Sequence, residues 1–229
     1  MYNAKFDDKA EEYFKIRDTA LIRMRGEMIL SAINKVEGDL KMCEIGGGTG
    51  NMVIFLASQL KDKAIQINVF EPLKNYVKFA SRKLKNYKNI LLINDKIEAL
   101  GQYKKLNSGV NFFYTVDTLH HIKNPSNILD LLKRDSNIEK YFAIIEPNNY
   151  NPYTYLYHKL KKGEEVFNHK EFIAHAKVNG WKVVERNYFY AIPFLFYRFK
   201  IFKIMNQYFS KSKFFCGSVF ILLYCERNI

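Results

Sequence analysis

The stretch CEIGGGTGN, Cys43–Asn51, decides the fold. It follows an apolar strand and places three glycines at alternate positions, starting two residues after the carboxylate of Glu44. These glycines are Gly46, Gly48 and Gly50. Because glycine has no Cβ and reaches positive φ, such a run lets the backbone come close to a nucleotide-like ligand.

The spacing of these glycines excludes two common nucleotide-binding loops. A dinucleotide-binding fingerprint needs a glycine at the sixth position of G-x-G-x-x-G, and that position, counted from Gly46, is Asn51. A P-loop would end in Gly-Lys-Ser or Gly-Lys-Thr, which the stretch lacks. Two interpretations remain: an acid-x-G-x-G-x-G ligand loop, or a strand-to-helix turn whose glycines serve packing alone.

Composition places the chain among globular proteins. The 229 residues, 48% of them hydrophobic, suffice for one α/β domain with a large core. The charged N-terminus has no apolar signal core and no uncharged stretch is long enough to span a membrane, so we expect a cytoplasmic protein that meets membranes only peripherally. A net charge of +13 favours an anionic partner: nucleic acid, a membrane surface or an acidic substrate.

The three cysteines have no metal-ligand spacing, and we predict buried apolar positions for them and no metal site. They are Cys43, Cys216 and Cys225.

Apolar strands alternate with amphipathic helices along most of the chain, which predicts an α/β fold: a Rossmann-like three-layer αβα sandwich around a mostly parallel sheet. We predict one domain over residues 1–229. It comprises a helical cap (1–37), the Rossmann-like core (38–190), and a basic aromatic helix followed by a final strand (191–229). Thr49 is a candidate N-cap for the helix that follows the glycine stretch.

Four acidic residues stand at or just past the ends of four successive predicted strands: Glu44, Glu71, Asp95 and Asp117. Ligands of an open parallel sheet lie outside the carboxyl ends of its strands. Any one of these acids could be a solvated loop residue, but their common placement indicates a ligand site at this edge.

Between residues 42 and 147, the segments EIGGGTG, VFEP, INDKIEAL and TVDTLHHIKNP resemble the successive motifs of the class I S-adenosylmethionine (SAM) methyltransferases, in their small-molecule branch. The resemblance implies a seven-stranded sheet with an antiparallel last strand. It also implies that SAM lies across the first two strand ends and that S-adenosylhomocysteine is the product.

The resemblance also implies roles for individual residues. Glu44 would face the cationic methionine part of SAM, and Glu71 would accept from both ribose hydroxyls, since a carboxylate offers two oxygens. Asp95 would accept from the adenine amine, Ile97 would pack on the adenine ring, and Asp117 would lie near the amino group of SAM. The full predicted cofactor set is Tyr13, Arg17, Glu44, Gly46, Gly48, Gly50, Glu71, Pro72, Asp95, Lys96, Ile97 and Asp117. Tyr13 and Arg17, before the core, resemble residues that close over SAM and its carboxylate; Tyr13 is equally consistent with a core aromatic.

Two histidines are the candidate catalytic residues. Methyl transfer from a sulfonium needs alignment and desolvation more than acid catalysis, but a hydroxyl or ammonium acceptor must still lose a proton. His120 and His121 follow the fourth strand, and histidine titrates near neutral pH. The alternative is that both are structural and that proximity alone drives transfer.

The loop after the fifth predicted strand contains Asn148, Asn149 and Tyr150. These residues are candidates for a substrate loop or form an ordinary turn.

The segment 193–211 separates at helical spacing into an apolar aromatic face and a lysine-rich face. It could cover the substrate pocket, contact an anionic membrane peripherally, or pack on the sheet. An RNA partner is less favoured, because the basic residues are spread along the chain rather than grouped with stacking aromatics.

The sequence therefore predicts a SAM-dependent methyltransferase that acts on an oxygen or nitrogen of a small-molecule or lipid-linked acceptor. The alternatives are an RNA methyltransferase, a quinone-type C-methyltransferase and a catalytically silent SAM-binding subunit.

Overall fold

The computed structural model describes residues 19–60, 66–133, 137–161, 166–189 and 212–227. Tyr13, Arg17 and the segment 193–211 lie outside these ranges, so the predictions made for them stay predictions.

Helices and strands alternate up to the strand that ends at Pro147; two helices then precede the next strand, and one further strand is the last described element. The helices are α1 (Thr19–Ile33), α2 (Asn51–Gln59), α3 (Lys74–Leu84), α4 (Lys104–Asn107), α5 (Asn127–Lys133), α6 (Pro152–Leu160) and α7 (His169–Val178). The strands are β1 (Lys41–Ile45), β2 (Gln66–Phe70), β3 (Ile90–Ile93), β4 (Phe112–Val116), β5 (Lys140–Pro147), β6 (Lys182–Phe189) and β7 (Ser218–Cys225). Short 3₁₀ helices cover Ile97–Gln102 and Leu119–His121.

The strands form one sheet in the order β3-β2-β1-β4-β5-β7-β6. Strands β1 to β5 pair in parallel, whereas β7 lies antiparallel between β5 and β6. The predicted fold class, a mostly parallel seven-stranded sheet with an antiparallel last strand, is confirmed.

Alternate residues of the strands supply two separate cores, as the period of two in a strand requires. Along β5, Phe142 and Ile144 pack with α5, α7 and the first 3₁₀ helix, while Ala143 and Ile145 pack with α1, α2 and α3. The inner part of the sheet is therefore buried on both faces, which explains why strands such as β4 and β5 are nearly continuous apolar runs.

The cap predicted for α2 is wrong. Gly50, not Thr49, is the N-cap residue, and no side chain caps this helix. Gly50 adopts a left-handed φ of 83° and its N–H donates to the carbonyl of Gly47, so the turn itself starts the helix. Thr49 is buried instead.

The three cysteines are buried, as predicted. Within the described ranges, no set of three or more His, Cys, Asp or Glu side chains is arranged to hold a metal ion. None of the helices in the part of the chain that the structure describes is long and apolar enough to cross a membrane.

Candidate active site

The glycine loop between β1 and α2 is fitted closely to the loop that follows β4. A Cβ on Gly46, where φ is 76°, would lie 2.3 Å from Oγ1 of Thr118, so no other residue fits there. The N–H of Gly46 donates to the carbonyl of Phe70 at 2.9 Å, which ties the loop to the end of β2. Gly48 is also left-handed, but a Cβ there would meet no atom within 4 Å. The loop is therefore held by the contacts of Gly46 with Thr118 and Phe70, and it has open space at Gly48.

Glu71 joins the end of β2 to this open glycine. Its carboxylate accepts from the N–H of Gly48 at 2.7 Å through Oε2 and from the N–H of Leu73 at 2.9 Å through Oε1. The side chain is buried, and burial raises the pKa of Glu71 while the two backbone donors oppose the rise. Asn94 fixes this strand end by donating to the carbonyls of Glu71 and Pro72. Each carboxylate oxygen keeps a further lone pair for a ligand hydroxyl.

Glu44 lies beneath the glycine loop. Its Oε2 accepts from the phenol of Tyr114 at 3.1 Å and lies 3.7 Å from where a Cβ of Gly47 would stand. Both side chains are buried, and burial together with the charge of Glu44 raises the pKa of Tyr114 well above its ordinary value. Tyr114 therefore stays a neutral donor to this carboxylate.

At the end of β3, Asp95 accepts from the N–H of Lys96 at 2.7 Å and from the phenol of Tyr103 at 3.0 Å. Asp95 is partly exposed and Lys96 is exposed, whereas the Ile97 side chain is 3% exposed and belongs to the core. The predicted contacts of these three residues with adenine stay predictions.

Asp117 has a partner that the sequence analysis missed. Arg25 of α1 approaches its carboxylate with both terminal nitrogens, NH2 to Oδ1 at 3.1 Å and NH1 to Oδ2 at 2.7 Å. Such bidentate pairs are strong and well oriented. Asp117 also adopts a left-handed φ of 51°, which a non-glycine residue holds only where its surroundings enforce it. Helix α1 is thereby connected to the end of β4.

The residue that positions His120 was also missed. Nδ1 of His120 lies 2.8 Å from Oε2 of Glu146, near the end of β5, and both side chains are buried. The other carboxylate oxygen accepts from the N–H groups of Thr118 and Leu119 at 2.8 and 2.7 Å. Because a carboxylate accepts, it favours the imidazole tautomer with the proton on Nδ1 and a basic Nε2. Glu146 ends a strand just as the four predicted acids do, and the same argument applied to β5 would have found it.

His120 is the centre of a group of three histidine rings. The ring of His121, which is exposed, lies 4.0 Å away and that of His158 lies 5.1 Å away, centroid to centroid. His158 belongs to α6, a helix that the sequence analysis did not predict. Asn151 caps α6 by accepting from the N–H of Thr154, and Pro152 begins it, so a sequence signal was present.

Asn148 holds the loop after β5 in place. It is fully buried, and its amide donates to the carbonyls of Lys213 and Cys216 at 2.7 and 2.6 Å. These contacts explain Asn148 as a structural residue of the turn, the second of the two interpretations given for this loop.

His120 also lines a cavity of about 350 Å³ between residues 119–130 and residues 166–179, so that the cavity extends along the length of α7. Polar side chains contribute to its walls, among them Asn124, Asn127, Asn168 and Glu171. Its volume is at the lower end of the range for small-molecule pockets.

His169, the first residue of α7, is buried without a hydrogen bond to either ring nitrogen. Its ring packs edge-on against Tyr150, with centroids 4.6 Å apart, and lies 6.0 Å from the ring of Tyr188. Burial lowers the pKa of His169 to about 4, and the charge of Arg186 adds to the effect. The imidazole is therefore neutral at physiological pH.

This lowered pKa predicts a pH-dependent loss of stability. In the unfolded chain the imidazole of His169 takes up a proton near pH 6.5, whereas in the folded protein it does so only near pH 4. The contribution of neutral His169 to the free energy of unfolding is therefore fully present above pH 6.5 and is lost as the pH falls towards 4. From pH 7 to pH 5 we expect the free energy of unfolding to fall by about 1–2 kcal/mol through this residue. Urea unfolding of His169→Phe should show a weaker pH dependence than the wild type. His175→Gln, at an exposed position of the same helix, should not; equal pH dependence in all three proteins would contradict the prediction.

No protein-family model matches the sequence, and no curated protein matches it. Among solved structures, a SAM-dependent methyltransferase from Archaeoglobus fulgidus superposes with a TM-score of 0.66 at 15% identity, over 97% of this chain and 100% of that chain. One from Aquifex aeolicus superposes with a TM-score of 0.61 at 15% identity, over 94% and 97%.

A third similar structure is the complex of the Haloferax volcanii Trm112 methyltransferase activator with a putative methyltransferase. It gives a TM-score of 0.66 at 13% identity, over 99% of this chain and 100% of that chain. Taken with the strand order, these superpositions show that the chain has the fold of the class I SAM-dependent methyltransferases.

Proposed function

We propose that this protein transfers a methyl group from SAM to an oxygen or nitrogen of a small-molecule or lipid-linked acceptor. One chain of contacts carries the proposal. Glu71 binds Gly48 in the glycine loop, Gly46 of that loop abuts Thr118, and Glu146 holds both Thr118 and His120. A candidate ribose-binding acid and a candidate base are thereby held on one rigid edge of the sheet.

The residues at this edge fit SAM. Gly48 leaves open space beside the carboxylate of Glu71, whose remaining lone pairs can accept from two ribose hydroxyls. Asp95, at the neighbouring strand end, would accept from the adenine amine, and Glu44 and Asp117 would lie towards the methionine part. Bound SAM would supply an electrophilic methyl group.

His120 is the residue we assign to proton removal. With Nδ1 directed at Glu146, its Nε2 is the lone pair that can accept a proton from an acceptor hydroxyl or ammonium. Glu146 is a positioning residue, because it touches the imidazole and the loop backbone rather than the acceptor.

The cavity lined by His120 is our candidate acceptor pocket, and its polar walls suit a hydroxyl- or amine-bearing group. Its volume suits a small molecule or the reactive end of a larger, lipid-linked one. We retain peripheral membrane contact through 193–211 and a cytoplasmic location as parts of the proposal.

The similarity to a chain from a complex with a methyltransferase activator favours a second candidate. In this alternative the chain binds SAM but needs a partner protein for turnover, or serves as a silent subunit. Double replacement of His120 and His121 by alanine distinguishes an active enzyme from a silent subunit. The active enzyme would lose turnover, whereas the silent subunit has no turnover to lose.

Calorimetric titration of the purified chain with SAM, S-adenosylhomocysteine and NAD tests the proposal. We expect binding of the first two and none of NAD, since the glycine spacing lacks the dinucleotide fingerprint. Tight NAD binding without binding of SAM or its product would refute it. Transfer of label from SAM into lipid, saccharide, RNA and small-metabolite fractions of a cell extract would then identify the acceptor class.

A further inference from the structure

Helix α6 carries its apolar side chains on the face that points away from the protein. At about 100° per residue, one stripe comprises Tyr153, Leu156, Tyr157 and Leu160. These side chains are 50–74% exposed. The opposite side carries Thr154 and His158, which are half-buried, and His158 contacts the ring of His120. No residue of α6 is buried, so the usual orientation of an amphipathic helix is reversed.

The turn 213–215 continues this apolar surface. Phe214 and Phe215 are 56% and 55% exposed. The carbonyl of Phe215 accepts from Nδ2 of Asn151, the N-cap of α6, at 2.8 Å, which fixes the turn beside the start of the helix. We call the apolar stripe of α6 together with this turn the α6 surface.

Lysines flank the α6 surface, and none of the residues that form it is acidic. Lys159 lies over the ring of Tyr155 at 5.5 Å, Lys161 over that of Tyr157 at 5.4 Å, and Lys213 over that of Phe214 at 4.9 Å. The sequence contains no Asp or Glu from 147 to 161 or from 187 to 225. In a chain of net charge +13, this is a cationic, aromatic surface.

We propose that the α6 surface docks on an anionic lipid bilayer. Exposed apolar and aromatic residues bordered by lysine are the composition of helices that lie in the membrane interface. The cores of protein–protein interfaces are instead depleted of lysine, and a second copy of this chain would bring like charges together. The segment 193–211 carries basic residues and no acid, so electrostatic attraction does not favour its contact with these lysines.

The docking surface extends the proposed function by naming a partner, since α6 would then lie between the bilayer and His120. Its test measures binding alone, so an absence of methyl transfer would leave it standing.

Co-sedimentation of the full chain with vesicles tests this docking. Vesicles of phosphatidylcholine mixed with phosphatidylglycerol should bind the protein, more weakly at high salt, and pure phosphatidylcholine vesicles should bind it much less. Replacing Leu156 and Leu160 together by serine should lower the partition coefficient at least about tenfold, because both side chains would otherwise enter the interface. Val178→Ser, which changes an 87% exposed residue of α7, is the matched control and should bind like the wild type.

Three results would overturn the proposal. The first is wild-type protein that binds neither kind of vesicle, or both equally. The second is undiminished binding by the double variant, which would place the contact elsewhere. The third is self-association in the absence of lipid that the double variant abolishes, since a second copy would then cover the stripe. Thermal unfolding of each variant verifies that it is folded, as expected for exposed positions.

Discussion

Replacing His120 by alanine is expected to lower kcat by about 10²- to 10⁴-fold, the range for removal of a general base, with SAM affinity nearly unchanged. The reason is geometric. Glu146 orients the ring through Nδ1, which leaves Nε2 as the basic nitrogen of an imidazole that also lines the cavity assigned to the acceptor. Initial rates with the acceptor identified by the extract experiment, together with calorimetry for SAM, would measure both quantities.

His121→Ala is the matched control for this prediction. His121 is the chain neighbour of His120 and the rings lie 4.0 Å apart, but His121 is exposed whereas His120 is buried. The control should keep most of its kcat. If His120→Ala also kept its kcat, alignment alone would carry the transfer and the base assignment would be wrong.

Glu146→Gln separates positioning from simple structural support. An amide can present its oxygen to the N–H groups of Thr118 and Leu119, but the NH₂ group then left facing His120 favours the opposite tautomer. We therefore expect a loss of kcat and a changed pH–rate profile in a protein that still binds SAM. A variant with unaltered kcat and profile would show that Glu146 only holds the backbone.

Sequence reasoning predicted the sheet because all of its strands except β3 and β6, at its two edges, are buried on both faces. Runs such as KYFAIIEP over 140–147 coincide with β5, since each residue of such a strand faces one of two apolar cores. It placed Glu71 and the glycine loop correctly at the same edge for a related reason: parallel strands end on one side, and ligands lie there.

The strand-end argument could have found Glu146 as a candidate acid, but which side chains of distant segments pair with each other could not be predicted. Arg25 and Asp117 are 92 residues apart, and His120 and Glu146 are 26 apart. Both pairs depend on which helix and which strand lie next to β4. The local periodicity of a sequence does not determine the order of strands in a sheet. Helix α6 was missed for a different reason. None of its residues is buried, so its apolar stripe is not part of a core. Only the Asn-Pro pair at its start indicates a helix in the sequence.

Replacing Glu71 by glutamine is expected to reduce SAM affinity by about 10- to 100-fold, the effect of weakening two hydrogen bonds to a charged acceptor. The amide has one accepting oxygen where the carboxylate has two, and both carboxylate oxygens already accept from backbone N–H groups of Gly48 and Leu73. Its NH₂ group would face one of these donors, so the open side of the glycine loop and the ribose contacts would be disturbed together. Calorimetry with SAM and S-adenosylhomocysteine should show the same loss for both, because the two share the ribose.

The same residue predicts how SAM affinity responds to pH. Burial raises the pKa of Glu71, so on acidification its carboxylate is protonated at a higher pH than an ordinary glutamate and loses an accepting oxygen. Affinity should therefore decline in mild acid for the wild type but much less for Glu71→Gln, which does not titrate. Glu37 is exposed and precedes β1, whereas the glycine loop follows β1. The variant Glu37→Gln should therefore match the wild type in SAM affinity and in its pH response. If Glu71→Gln bound SAM as tightly as this control, the ribose would be held elsewhere, and the contact between Glu71 and the glycine loop would be structural only.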